Sequence, residues 1–265
     1  RLGGLDGEKL INVFRSLAEK ASDAILDCYL QESAVRLKAD DSPVTDADLA
    51  ANQIIVEGLQ SAFPGIPVLA EESVDDSTRL GARMLFVVDP LDGTKEYIKR
   101  NGEFTVNIAL LVDNQPVAGV IRVPVTGESF GALRGKGAWY CPQDGEPTEE
   151  VRVSGRTEAL RMMVSRSNPS PQLEILMRHP RVSATIVSGS SLKGCRIAKG
   201  DAEVYYRYGR TMEWDTAAMQ CIVEEAGGMM RQMDDTPMQY NKLIPENAGG
   251  FYVVNRSENR IHLAD

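Results

Sequence analysis

Val87-Val88-Asp89-Pro90-Leu91-Asp92-Gly93-Thr94 is an apolar run that ends in two carboxylates, a proline, a glycine and a hydroxyl. Residues 84–88 read as a buried strand, because the run is apolar, β-branched at its end and followed by breakers. Asp89 is therefore expected at or just past a strand end. Proline fixes its own φ and biases the preceding residue away from helix, so the chain is expected to turn there and bring Asp92 beside Asp89. Two carboxylates crowded at a strand end destabilise each other unless a cation or a proton lies between them. Solvated acids in an Asx turn are the plain alternative. Gly93 favours a ligand site, since a glycine lets backbone N–H groups approach closely, and Thr94 adds a hydroxyl beside acids suited to a hard cation.

With 265 residues, 43% of them hydrophobic, the chain can bury a large core as one domain or two tightly apposed ones. Its formal net charge of −9 argues against a nucleic-acid polymer as partner. A small anionic substrate stays compatible with it, because bound cations invert the local potential of the acids that hold them. Cys28, Cys141, Cys195 and Cys221 have no short metal spacing and read as free thiols of a reducing compartment, which points to the cytoplasm. His179 and His262 are the only histidines, too few for a histidine-rich zinc site. No uninterrupted apolar stretch approaches bilayer length, so no transmembrane segment is expected.

Before the motif, Leu10, Val13, Phe14, Leu17, Ala21, Ala24 and Ile25 recur at helical spacing and predict an amphipathic helix over 8–30. Residues 38–43 read as irregular, and Thr45 opens a second helix reaching about Phe63. Thr45 as N-cap with Asp48 three residues on makes a variant capping box, which competes with any catalytic use of Asp48. Residues 66–70 form a short apolar segment that delivers Glu71 to the same sheet end as Asp89.

Beyond the motif, 97–103 reads as a polar loop, and 104–111 with 117–123 as an antiparallel hairpin. The glycines of 131–139 suit a turn between strands and lack the spacing of a phosphate-binding Walker loop. The acidic, proline-bearing stretch 142–150 marks the expected boundary between an N-terminal unit, 1–150, and a C-terminal α/β unit, 151–265. In the second unit, strands are expected over 161–165, 182–187, 202–208 and 251–254, and helices over 170–178, after Ser191, and over 216–226. Ser190 and Ser191 at a helix start can contact an anion or simply cap the helix. Asp215, placed just before the last helix, can likewise be no more than its N-cap.

Asp89-Pro90-Leu91-Asp92-Gly93-Thr94 resembles the central motif of the inositol monophosphatase family, the lithium-sensitive, magnesium-dependent phosphomonoesterases related to fructose-1,6-bisphosphatase. Ala70-Glu71-Glu72-Ser73 and Trp214-Asp215-Thr216-Ala217-Ala218 extend the likeness, which covers residues 10 to 255. Lys38-x-Asp40-x-Ser42-Pro43-Val44-Thr45-x-x-Asp48 and Gly189-Ser190-Ser191-Leu192-Lys193 are similar to the 3'(2'),5'-bisphosphate nucleotidase branch. The resemblance implies an α+β, layered αβαβα sugar-phosphatase fold. It implies one Mg2+ held by Glu71, Asp89 and the Leu91 carbonyl, a second by Asp89, Asp92 and Asp215, and a loosely held third near Glu71. Glu72 stays outside that set.

As catalytic residues the resemblance implies Asp48, Glu71 and Thr94, with Asp48 and Thr94 orienting the attacking water. As substrate-binding residues it implies Gly93, Thr94, Ser190, Ser191, Lys193, Arg207 and Asp215. The implied reaction is hydrolysis of a small bisphosphate nucleotide, adenosine 3',5'-bisphosphate, to AMP and phosphate. Inositol monophosphate is the rival substrate. A metal-binding scaffold without turnover would be expected to lack a ligand, Thr94 or Asp48, and all are present. Monomer or homodimer, and peripheral attachment to the inner membrane, stay open at the level of sequence.

Overall fold

The computed structural model describes residues 2–31, 35–39 and 43–264. Asp40 and Ser42 of the quoted motif lie outside the described residues. The chain opens with helix α1, Gly7–Leu30, capped by the Asp6 side chain, which accepts from the N–H groups of Glu8 and Lys9. Short strands at Val35–Leu37 and Pro43–Thr45 pair antiparallel and bracket the segment expected to be irregular. Helix α2, Asp46–Ala62, follows with the expected capping box: Thr45 Oγ1 accepts from the Asp48 N–H, and Asp48 accepts from the Thr45 N–H.

Seven strands between Val68 and Val151 form one sheet, paired in chain order and antiparallel except for Val68–Ala70, which runs parallel to Met84–Asp92. Five strands form a second sheet in the order Val182–Ser188, Leu160–Ser165, Val204–Arg207, Phe251–Val254, Met229–Gln232. Its first three are mutually parallel, and the last two alternate in direction. The remaining helices are α3 Thr94–Ile98, α4 Pro171–Met177, α5 Leu192–Ala198 and α6 Glu213–Glu225.

Side chains alternate across a strand, so a strand covered on both faces must be apolar throughout. Phe86 and Val88 face α1 and α2, in a cluster with Leu10, Phe14, Ile55 and Leu59. Leu85 and Val87 face the other way, in a cluster with Ile197 of α5, Ile222 of α6, and Tyr205 and Val253 of the second sheet. Val204, Tyr206 and Tyr252, on that sheet's outer face, pack with Leu173 and Leu176 of α4. Three apolar clusters, the middle one enclosing α5 and α6 between the two sheets, thus hold together five layers, helix, sheet, helix, sheet, helix, which is the expected αβαβα order. At the middle seam α6 lies so close to the first sheet that a Cβ on Gly119 would stand 2.9 Å from Ala218 Cα.

Four boundaries differ from the sequence reading. The strand Met84–Asp92 does not stop at Asp89; Asp89 still pairs with Asn107, and the register breaks only between Asp89 and Asp92, because Pro90 has no N–H to contribute to the ladder. Helix α3 occupies the start of the segment expected to be loop, since Tyr97 packs into the apolar cluster beside Phe104. Glu149–Val151 is the edge strand of the first sheet rather than linker. Helix α6 begins at Glu213, so Asp215 is its third residue and not its N-cap: its Oδ2 accepts the Met212 N–H at 2.7 Å.

Candidate active site

Four carboxylates meet where the first sheet, α6 and α5 converge. Glu71 follows the strand Val68–Ala70, and its N–H donates to Val88 O at 3.1 Å, so it leaves the sheet beside Asp89. Asp89 and Asp92 come from the two ends of the register break in Met84–Asp92, and Asp215 from the first turn of α6. Asp89, Asp92 and Asp215 each present an oxygen within 4.8 Å of the others. Leu91, buried between the two aspartates, lines the same cavity as the four acids, a space of about 310 Å³.

The electrostatics are those of a site built for a cation. Burial, followed by the charges of Glu71, Asp92 and Asp215, raises the Asp89 carboxyl well above the ordinary range. Burial pushes Asp92 up to about 6, against the Ser191 N–H and Lys193, and it pushes Asp215 up to about 7, helped by Asp92 and Glu71. Asp89 Oδ1 is buried with no hydrogen-bond donor, a cost that proteins rarely leave uncompensated. An all-oxygen, anionic donor set with one orphaned buried oxygen fits a hard divalent cation, and such an ion removes the mutual repulsion without protonating the acids.

Beside the acids, Thr94 and Asp48 are hydrogen-bonded to each other. Thr94 Oγ1 donates to Asp48 Oδ1 at 3.0 Å, while Asp48 Oδ2 accepts the Thr45 N–H at 2.9 Å and the Thr45 hydroxyl at 2.6 Å. Asp48 therefore caps α2 and holds Thr94 at once. Burial raises its carboxyl, opposed by these hydrogen bonds. Lys38 Nζ lies 3.2 Å from Glu71 Oε1 and 2.6 Å from Glu72 Oε1. Burial works against the Lys38 ammonium, but the two carboxylates outweigh it and raise its proton affinity.

The opposite wall comes from the second half of the chain. Lys193 on α5 and Arg207 at the end of its strand both line the cavity. Lys193 is only 3% exposed, and the single bond of its ammonium is a 3.4 Å donation to Ser188 O. Burial, with Arg207 nearby, depresses it to about 8, although Asp92 pulls the other way. Arg207 makes no side-chain hydrogen bond or ion pair among the described residues.

Ser190 and Ser191 line the cavity too, but their polar groups already serve the first half. Ser190 Oγ lies within donating distance of Glu103 O, at 2.7 Å, and of Asp92 O, at 3.0 Å. The Ser191 N–H donates to Asp92 Oδ2 at 2.8 Å, and its Oγ lies 2.9 Å from Thr105 Oγ1. Gly93 needs to be glycine, with φ +93° and only 2.3 Å between a notional Cβ and Ser190 Oγ.

Two groups escaped the sequence reading. Thr105 and Asn107 are polar residues two apart in a strand buried from end to end; that spacing puts both on one face, Asn107 opposite Asp89 and Thr105 opposite Asp92, and the Asn107 amide donates to Thr105 Oγ1 at 3.0 Å. Glu96, two residues after Thr94, is buried against the cavity. Nothing in its local sequence marked it, because a charged residue on a short helix reads as solvated.

Residues 6–260 match the inositol monophosphatase family. The chain is 40% identical over 227 residues to the 3'(2'),5'-bisphosphate nucleotidase CysQ of Escherichia coli K12, covering 84% of this chain and 91% of that one. It is 35% identical over 230 residues to the CysQ of Aggregatibacter actinomycetemcomitans, covering 85% of each. Among solved structures, CysQ from Bacteroides thetaiotaomicron, a bacterial member of the same family, superposes with a TM-score of 0.80 at 38% identity, over 92% of this chain and 97% of that one. The extragenic suppressor protein SuhB of Bartonella henselae superposes with a TM-score of 0.77 at 28% identity, over 93% and 94%.

Proposed function

We propose, from the premise that the chain belongs to the inositol monophosphatase family, that it is a phosphomonoesterase that hydrolyses adenosine 3',5'-bisphosphate to AMP and phosphate. The single observation carrying the substrate is the pairing of opposite charges across one cavity. Lys193 and Arg207, two cations with no ion pair among the described residues and the second close enough to depress the first, stand across from the acids. Like charges enclosed without a counterion destabilise the fold, so the basic wall needs an anion as the acidic wall needs a cation. A substrate with two phosphates supplies one to each wall. The bisphosphate nucleotidases at up to 40% identity support the same choice.

Glu71, Asp89, Asp92, Asp215 and the Leu91 carbonyl are the groups that would hold Mg2+, as two ions and a weaker third near Glu71. Bound there, magnesium supplies Lewis acidity toward a water and the phosphoryl oxygens. The chain's own residues do the rest. Thr94, its proton committed to Asp48, has oxygen lone pairs free to accept from the attacking water and so aims that water at phosphorus. Asp48 stays fixed because Thr45 saturates its other oxygen. Glu71 completes the catalytic set as the acid next to this pair. The N–H groups of Gly93 and Thr94 receive the phosphoryl oxygens, and Lys193, Arg207 and the Ser190-Ser191 turn take the remainder of the nucleotide, next to Asp215.

A Mg2+-dependent phosphate-release panel tests this reading. Adenosine 3',5'-bisphosphate is expected to give AMP faster than inositol 1-phosphate gives inositol, and lithium to inhibit. Faster release from inositol 1-phosphate would move the protein to an inositol monophosphatase-like role.

No helix among the described residues is long and apolar enough to cross a membrane. The free thiols of Cys141, Cys195 and Cys221 fit the cytoplasm, and recovery in an inner-membrane fraction would add peripheral attachment to the proposal. Residues 1–150 and 151–265 are proposed as the two units, the second bringing Asp215 and the basic wall to the first. Monomer or homodimer is for sedimentation to decide.

A further inference from the structure

Glu96 lies on α3 two residues beyond Thr94 and is 6% exposed. Its Oε1 accepts the hydroxyl of Ser167 from the second half, and the Lys99 ammonium lies 3.2 Å from the same hydroxyl. Its Oε2 has no hydrogen-bond partner among the described residues, and it is not one of the fully enclosed unpartnered atoms. That oxygen therefore opens onto the cavity that Glu96 lines. It stands over the catalytic turn, 3.3 Å from where a Gly93 Cβ would be. No cation lies within ion-pair distance of it among the described residues. Asp92 and Lys193 line the same cavity and feel the charge of Glu96, as does Arg166.

One carboxylate oxygen is thus used as a strut between the halves, and the other is a bare acceptor two residues from Thr94. Acceptors repel phosphate oxygens, so Oε2 is not a phosphate contact. What it can receive from a phosphomonoester held on the acidic centre is a neutral O–H next to the ester. We propose that Glu96 is a specificity-determining residue: its Oε2 accepts a hydrogen bond from the hydroxyl on the carbon adjacent to the one bearing the reacting phosphate. On a ribonucleoside 3'-phosphate this is the 2'-hydroxyl. The proposal rests on the acidic centre being the phosphate site. It goes further in selecting vicinal hydroxy phosphomonoesters over their deoxy analogues.

The test compares kcat/KM for adenosine 3',5'-bisphosphate and 2'-deoxyadenosine 3',5'-bisphosphate under Mg2+. The parent is expected to favour the ribonucleotide about tenfold to a hundredfold, the strength of one hydrogen bond to a charged acceptor. Glu96→Ala should bring the ribonucleotide down to the deoxy level and barely change the deoxy substrate, so that the ratio approaches one. Ser167→Ala removes the strut but keeps the acceptor, and should retain the preference. A parent that treats the two nucleotides alike overturns the proposal whether or not any variant folds. So does a Glu96→Ala protein whose losses are equal on both. If neither nucleotide is turned over and inositol 1-phosphate is, the nucleotide reading fails alone; trans-cyclohexane-1,2-diol monophosphate against cyclohexyl phosphate then decides the vicinal-hydroxyl rule by the same ratio.

Discussion

Thr94 Oγ1 donates to Asp48 Oδ1 over 3.0 Å, across 46 residues of chain. Weakening the Asp48 acceptor frees the Thr94 hydroxyl to turn away from the reacting water, and removing Thr94 deletes that hydroxyl. Thr94→Ala and Asp48→Asn should each lower kcat about a hundredfold to ten-thousandfold with little change in KM, as expected when orientation rather than binding is lost. Thr45→Ala separates the two duties of Asp48. It removes the cap hydroxyl at a cost of about 1 kcal/mol in stability but leaves the Asp48 carboxylate facing Thr94. Unfolding midpoints should therefore fall in Thr45→Ala with kcat mostly retained. Near-parent turnover in a folded Thr94→Ala protein would refute the pairing.

The acidic centre was legible because each acid sits beside a strong local signal: Asp89 and Asp92 around a proline, Glu71 behind an apolar run, Asp215 at a helix start. Layer order was implied by the resemblance, and its physical basis lies in the runs 84–88 and 108–111, apolar throughout as only a sheet covered on both faces requires. What escaped depends on tertiary contact. The continuation of the strand through Pro90 rests on Asp89 and Asp92 both finding partners in the strand Thr105–Val112, and the burial of Glu96 rests on Ser167, 71 residues away. The two readings of Asp48, cap and catalyst, can coexist in sequence. One carboxylate with two oxygens accommodates both.

Metal-free protein should lose stability as pH rises. Asp92 and Asp215 are raised in the fold to about 6 and about 7, and Asp89 is raised too. Between the ordinary carboxylate range and these values the folded state binds more protons than the unfolded chain, so the slope of unfolding free energy against pH is negative. Chelated protein should melt several degrees lower at about pH 8 than at about pH 5, with the loss accumulating up to about pH 7. Saturating Mg2+ should flatten the profile, because the ion replaces the protons. Thermal denaturation across pH with and without Mg2+ measures both, and a metal-free profile that rises toward pH 8 contradicts the crowding of these acids.

Gly93→Ala should be costly for two separable reasons. The backbone there has φ +93°, and the new methyl would meet Ser190 Oγ at 2.3 Å. Denaturant unfolding should show a loss of at least about 1 kcal/mol, together with a fall in kcat as Thr94 is displaced. Adding Ser190→Gly removes the clash but not the positive φ, so it should restore only part of the stability. Full restoration would mean that the left-handed conformation carries no cost.

The basic wall predicts a selective loss. Lys193 is buried with one long hydrogen bond, and Arg207 lines the same cavity without a partner of its own. Neither cation forms an ion pair among the described residues, so both are available to the second phosphate of the substrate. Lys193→Met keeps the volume and removes the charge. In the free protein this should cost little or even stabilise, since a buried, poorly bonded ammonium is lost. Toward adenosine 3',5'-bisphosphate it should cost about tenfold to a hundredfold in kcat/KM, as one charge-assisted contact disappears. Toward inositol 1-phosphate, which has no second phosphate to lose, the change should stay within about threefold, by the same reasoning about contacts that only one substrate makes. Arg207→Ala should act in the same direction. In the double variant the two losses should combine less than additively, because the Arg207 charge acts on Lys193 in the parent. Equal losses on both substrates would instead assign Lys193 and Arg207 to the architecture of the second sheet.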